Sequence, residues 1–172
     1  MKDCLTDRRN LLLMPLLAAL PTTLITNSAA ASPLDPSQTI YKLPDQIEWR
    51  RRPDDPPNSV ESATLFGDLS SPGIYYVLVK WYPGYMSAPH TYITDRLCVV
   101  VSGTWWINSG PDFDPDHTVP APAGSFVRRV AHTPHYDGVR IGGAEPAVIA
   151  ICGIAPVSLQ LIETDKPLVR KL

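Results

Sequence analysis

Proline is the feature that most limits what this chain can fold into. There are 19 in 172 residues, and beyond the N-terminal segment they fall between apolar runs rather than within them. Proline has no N–H to give a β ladder and breaks a helix interior. Apolar runs fenced in this way predict many short strands. The runs lie at 74–81, 97–101, 105–107, 125–130 and 147–154, and they carry Val, Ile, Tyr and Trp, which suit a pleated, half-buried surface. Ser71-Pro72-Gly73, Pro83-Gly84, Ser109-Gly110-Pro111, Pro122-Ala123-Gly124 and Gly142-Gly143 separate them as turn signals. No long helix-period segment and no internal repeat competes with this pattern. The expectation is an all-β sandwich or barrel, not a βαβ array.

With 44% hydrophobic residues, a chain of this length can build one core and is too short for two full domains. The formal net charge is −2 and no basic patch stands out, which argues against nucleic acid as a partner.

Residues 1–31 read as an export signal. Lys2, Arg8 and Arg9 precede the apolar stretch 11–20, and small residues follow, ending in Ala29-Ala30-Ala31. The apolar stretch is shorter than the roughly 20 residues that span a bilayer, and Pro15 and Pro21 bound or interrupt it. Asp7-Arg8-Arg9-Asn10-Leu11-Leu12 resembles a twin-arginine signal, which implies export of an already folded protein. The expected location is periplasmic or secreted, with no stable membrane insertion once the signal is removed. The remaining chain then loses three basic and two acidic residues and carries a net charge of −3.

Residues 32–61 form a proline-rich arm in which 40–49 can add a strand and Arg50-Arg51-Arg52 with Asp54-Asp55 reads as a solvated surface run. Residues 62–172 are the expected domain, with a further strand open to the tail at 159–172. Cys4 leaves with the signal. Cys98 and Cys152 both lie in strand-like runs, where a disulfide and two packed thiols are both open.

Two spacings carry a family resemblance. Gly84 is followed by five residues, then His90-Thr91-Tyr92, three residues, Arg96, six residues and Gly103. Gly124 is followed by five residues and then Val130-Ala131-His132-Thr133-Pro134-His135. These resemble the two motifs of the cupin superfamily: glycine, five residues, His-x-His, three or four residues, Glu, six residues, glycine; and glycine, five residues, Pro-x-Gly-x-x-His. Ser102-Gly103-Thr104-Trp105-Trp106, Phe113-Asp114-Pro115 and Pro122-Ala123-Gly124-Ser125-Phe126 add to the likeness, which covers about residues 73–156. It implies a double-stranded β-helix, or jelly-roll barrel, with its working site inside. Cupin-type barrels often pair through an outer strand, so a homodimer is expected too. The chain departs from the family pattern at Tyr92 for the second His, Arg96 for Glu, Val130 for Pro and His132 for Gly.

Alternate residues of a strand face one side, so positions 90 and 92 share a face, as do 96, 98 and 100. The resemblance makes His90 and His135 the candidate ligands of one divalent transition metal (Fe, Mn, Zn or Ni). Tyr92 and His132 are candidates for proton transfer; Tyr92 can also be a weak oxygen ligand or a packed ring, and His132 a third metal ligand if the Thr133-Pro134 bend turns it inward. Arg96 cannot bind a cation and repels one nearby. It can fork to a carboxylate or phosphate, or form an ion pair with Asp95 or another acid. Asp95 lies one position off the Glu register, and a strand irregularity there can turn it inward as a ligand. His117 reads as solvated in its polar loop. Arg128 and Arg129 point opposite ways, so at most one reaches the interior.

Two functions follow. The first is an exported metal-dependent cupin enzyme, of oxygenase, isomerase or lyase type, acting on a small anionic or aromatic molecule. The second is a non-catalytic small-molecule-binding cupin that has lost its metal. No nucleophile elbow, phosphate-binding glycine loop, CxxC or haem motif points elsewhere.

Overall fold

The computed structural model describes residues 34–35 and 37–172, so the export signal, with its cleavage point and Cys4, lies outside the described residues. Residues 42–172 form one compact unit. Its strands, in chain order, are β1 (Val60–Phe66), β2 (Gly73–Trp81), β3 (Tyr85–Ser87), β4 (His90–Tyr92), β5 (Arg96–Ser102), β6 (Thr104–Ser109), β7 (Val119–Pro122), β8 (Phe126–Arg129), β9 (His135–Val139), β10 (Ala147–Ala155), β11 (Leu159–Leu161) and β12 (Val169–Lys171). The described helices are single 3-10 turns at Pro44–Gln46 and Pro115–His117. The first of these replaces the strand expected at 40–49, because Pro44 starts a turn and the Gln46 side chain reaches back to the Leu43 N–H at 2.9 Å. No described helix is long and apolar enough to cross a membrane.

The strands form two antiparallel sheets. One runs β1-β2-β10-β5-β8. The other runs β11-β4-β9-β3-β12, with β6 on β9 and β7 on β6. Both long strands, β2 and β10, sit inside the first sheet, and their register is continuous from Gly73↔Ala155 to Trp81↔Ala147. The tail supplies two short strands, β11 against β4 and β12 against β3.

The period-2 alternation decides what the sheets enclose. Tyr75, Val77 and Trp81 of β2, Cys98 and Val100 of β5, and Ile149 and Ile151 of β10 are buried and pack with Trp105, Val139 and Val169 of the facing sheet. Their neighbours Ile74, Leu97, Val99, Val101 and Ile154 remain exposed on the outer face. Cys98 therefore points inward, while Cys152, paired across from Leu97, shares the outward side. Both cysteines are free thiols, since side chains on opposite faces of a sheet cannot reach a disulfide geometry. The three motif glycines take left-handed backbone, Gly84 at φ 84°, Gly103 at φ 70° and Gly124 at φ 88°, a conformation open to glycine because it has no Cβ to clash. Each ends a turn that delivers the next motif residues to the interior.

Candidate functional site

The space between the sheets leaves a cavity of about 250 Å³. His90, Tyr92, Arg96 and His135 all line it, joined by Tyr75, Cys98, Trp105, Arg129 and Asp137. Arg52 and Asp55, from the segment before β1, complete part of its wall. The run expected to be solvated thus contributes a buried carboxylate: Asp55 is 6% exposed, and Arg52 Nε donates to it at 2.8 Å.

β4 and β9 are paired so that His90 and His135 are direct cross-strand partners. Their ring centroids are 4.5 Å apart, and the Tyr92 ring lies 5.1 Å from His90 and 5.9 Å from His135. Each imidazole is anchored by Nδ1, which donates to the Ala88 carbonyl from His90 (2.8 Å) and to the Thr133 carbonyl from His135 (2.9 Å). That bond fixes the tautomer with an unprotonated Nε2. Burial holds both below the usual histidine range; for His135, to about 4, the Arg129 charge adds to the burial. Both rings are therefore neutral at physiological pH and can accept a proton or a hydrogen bond at Nε2. Burial also raises the Tyr92 phenol above its ordinary value and pushes the Cys98 thiol up to about 11.

The structure does not bring His132 to this group. The residue takes left-handed backbone at φ 59°, its N–H donates to the Tyr92 carbonyl at 2.8 Å, and its side chain is exposed on the turn before β9. The Thr133-Pro134 turn aims His135 inward and His132 outward, so His132 leaves the set of proton-transfer candidates. His117 is also exposed, with Nδ1 2.6 Å from Asp114.

The arginines separate sharply. Arg129 points inward, where its Nη2 meets Asp137 Oδ2 at 3.1 Å, its Nη1 meets the Asn108 carbonyl at 3.1 Å, and its guanidinium lies 5.1 Å from the Trp105 ring. Trp105 Nε1 donates to the other Asp137 oxygen at 3.0 Å. Arg128 points outward and holds Asp95 at 2.8 Å, while Asp95 also accepts the Ala131 N–H at 2.8 Å. Asp95 is thus committed outside the barrel, neither turned inward as a ligand nor paired with Arg96. Arg96 lies over the Tyr92 ring, 4.1 Å from its centroid. No acid among the described residues pairs with it, and its buried Nε has no hydrogen-bond partner.

Sequence reasoning missed Tyr75, Arg129 and Asp137. Their one visible signal was parity: Tyr75 shares a face with Val77, and only one of Arg128 and Arg129 could face inward.

No protein-family model matches the sequence, and no curated protein does. Solved structures do. A sugar phosphate isomerase of the cupin superfamily, from Silicibacter pomeroyi, matches 70% of this chain and 80% of its own, with a TM-score of 0.53 and 19% identity. The chain has the cupin fold. The polyketide cyclase RemF from Streptomyces resistomycificus matches over 78% of this chain and 85% of its own, at TM-score 0.55 and 12% identity. KdgF from Halomonas sp. matches over 68% and 94%, at 0.51 and 17%. At such identities the likeness is one of fold.

A divalent metal in this cupin barrel would have His90 and His135 as its donors, with the neighbouring Tyr92 phenol, whose ionisation burial disfavours, as a weak third. No group of three His, Cys, Asp or Glu side chains among the described residues could hold an ion. Where the cupin motif has its carboxylate, Arg96 presents a permanent positive charge. Transition-metal sites usually take three or four protein donors, and a guanidinium in the place of the carboxylate both removes a donor and repels a dication. The residues present do not fit a resident divalent metal.

Proposed function

We propose that this cupin barrel binds a small organic anion directly, without a resident divalent metal, and that the Arg96 guanidinium holds the anion's charge. One observation carries the reading: Arg96 lines the cavity and has no counter-ion among the described residues, whereas every other arginine on that wall has an acidic partner. Arg96 is half-buried, and a charge drawn part-way out of water without a partner is costly, so proteins tend to keep such groups paired. A bound anion supplies the missing partner. The neutral His90 and His135 favour the same reading, since uncharged imidazoles offer Nε2 as a hydrogen-bond acceptor for a hydroxyl on the held molecule.

Zinc titration followed by dialysis and elemental analysis tests this. The natural protein is expected to retain no stoichiometric zinc. Arg96→Glu, which places a carboxylate beside His90 and His135, is expected to gain retention that His90→Ala in the same background removes. Stoichiometric zinc retained by the natural protein and lost in His90→Ala would sink the metal-free reading.

A further inference from the structure

We infer that the anion is a single carboxylate on an apolar body, about ten non-hydrogen atoms in all, gripped end-on by the two Nη nitrogens of Arg96, with Tyr75 as the residue that positions the guanidinium. This rests on the anion reading above and narrows it.

The register lines up the parts. β10 lies between β2 and β5, and Gly153 pairs with Tyr75 on one side and Arg96 on the other. Gly153 leaves room where a side chain would stand: a Cβ there would meet the Tyr75 Oη at 2.5 Å and ring carbons at 2.7 and 2.8 Å. The phenol therefore lies across Gly153, beside Arg96. Tyr75 is fully buried, and its hydroxyl meets the geometry of no hydrogen bond among the described residues, although it lies close enough to Arg96 to act on that charge. Phenylalanine would fill the same space without leaving a buried hydroxyl unsatisfied, which costs about 1–3 kcal/mol. Packing alone does not account for a tyrosine here.

The guanidinium is thus bounded on two sides. Tyr92 presents its ring face at 4.1 Å, and the Tyr75 phenol lies close enough to act on the guanidinium charge. Only Nε of its three nitrogens is both buried and unpartnered, so the two Nη groups are the ones open to the cavity. Two parallel N–H donors match the two oxygens of a carboxylate.

Charge then favours carboxylate over phosphate. Arg129 is committed to Asp137 and Arg52 to Asp55, so one positive charge remains for the ligand. A phosphate monoester carries nearly two negative charges at neutral pH. The rest of the wall, including Val77, Ile149, Ile151, Leu159 and Val169, is apolar and suits an aromatic or branched hydrocarbon body. A cavity of about 150 Å³ takes benzene, which scales the 250 Å³ here to roughly ten heavy atoms.

Calorimetric titration with phenylacetate, phenyl phosphate and benzyl alcohol tests the assignment. Phenylacetate is expected to bind one per chain, at least about tenfold more tightly than the other two, with Arg96→Gln removing that preference. Tyr75→Phe is expected to weaken phenylacetate by about threefold to tenfold while the unliganded Tm stays the same or rises. A hydroxyl that only holds the fold would lower Tm on removal and leave affinity alone, and unchanged affinity in Tyr75→Phe overturns the positioning role. Tighter phenyl phosphate, still dependent on Arg96, overturns the carboxylate and leaves the anion reading standing. Equal binding of phenylacetate and benzyl alcohol, unchanged in Arg96→Gln, overturns both. Absence of phenylacetate binding at millimolar concentration overturns the ligand class.

Discussion

Arg96 and Arg129 are direct cross-strand partners on β5 and β8, and both line the same cavity, yet only Arg129 has its charge answered. Around Arg129 the interior is closed. Asp137 takes its Nη2, Trp105 donates to the second carboxylate oxygen, the Asn108 carbonyl takes Nη1, and the Ser87 hydroxyl accepts the Asp137 N–H at 3.0 Å. Around Arg96 there are two phenols and no acid. Two like charges on neighbouring strands repel, and Asp137 offsets one of them. The Arg129 side of this pair is closed and complete by itself, and the Arg96 side is built to be completed from outside.

The largest effect that can break this contrast comes from the closed side. Arg129→Met leaves Asp137 buried without its cation, and removing one partner of a buried pair costs about 3–5 kcal/mol. Urea unfolding at neutral pH checks it. A loss below about 1 kcal/mol would mean that Asp137 is not dependent on Arg129, and the two sides would no longer differ in kind.

Acid titration gives the next effect. His135 titrates near 4 in the fold and near 6.5 when unfolded. Above pH 6.5 both states are neutral at this ring and stability is unaffected by it. As pH falls from 6.5 towards 4, the unfolded chain takes up a proton that the folded chain refuses, so stability declines over that window and levels off below it. The shift corresponds to a few kcal/mol, on the order of 3. Urea unfolding at pH 7, 5.5 and 4 should show the decline, and His135→Gln should make it shallower, leaving the part that His90 contributes in the same direction. Arg129 contributes to the shift, so Arg129→Met should narrow the window. An unaltered profile in His135→Gln would assign the acid sensitivity to another group.

How much of this was legible follows from what each residue depends on. The proline-fenced runs became strands because their alternation leaves no other way to bury Tyr75, Val77, Cys98, Val100, Ile149 and Ile151 together. The motif lengths brought His90, Tyr92, Arg96 and His135 to one cavity, because spacing fixes which residues follow each turn. His132 could not be placed in the same way. Its position turns on a left-handed backbone at a non-glycine residue, which the sequence around it does not demand. The fate of Arg96 was equally hidden. Asp95 is its chain neighbour and so points to the opposite face, where Arg128 waits on β8, and the strand that brings Asp137 aims it at Arg129 instead. Tyr75 was invisible because its significance lies in Gly153, 78 positions away and paired to it across the sheet.

The smallest effect is the most revealing, because it has the opposite sign. Arg96→Met keeps a long side chain on the cavity wall and removes a charge that no described acid offsets. If the Arg96 side is built for a ligand, the unliganded fold has been carrying the cost of that charge, and the variant should be more stable by about 1 kcal/mol, within the range seen when buried charges are replaced by apolar residues. The Tyr92 ring, 4.1 Å from the guanidinium, limits the gain, because a cation over an aromatic face is worth about 0.5–2 kcal/mol and is forfeited. The measurement is a denaturation midpoint on dialysed protein, with the slope against denaturant unchanged, so that the shift reports stability and not a looser state. A loss of several kcal/mol, like that expected for Arg129→Met, would show that Arg96 has a structural partner after all. The two arginines would then be alike, and the cavity would have no unanswered charge to recommend it to an anion.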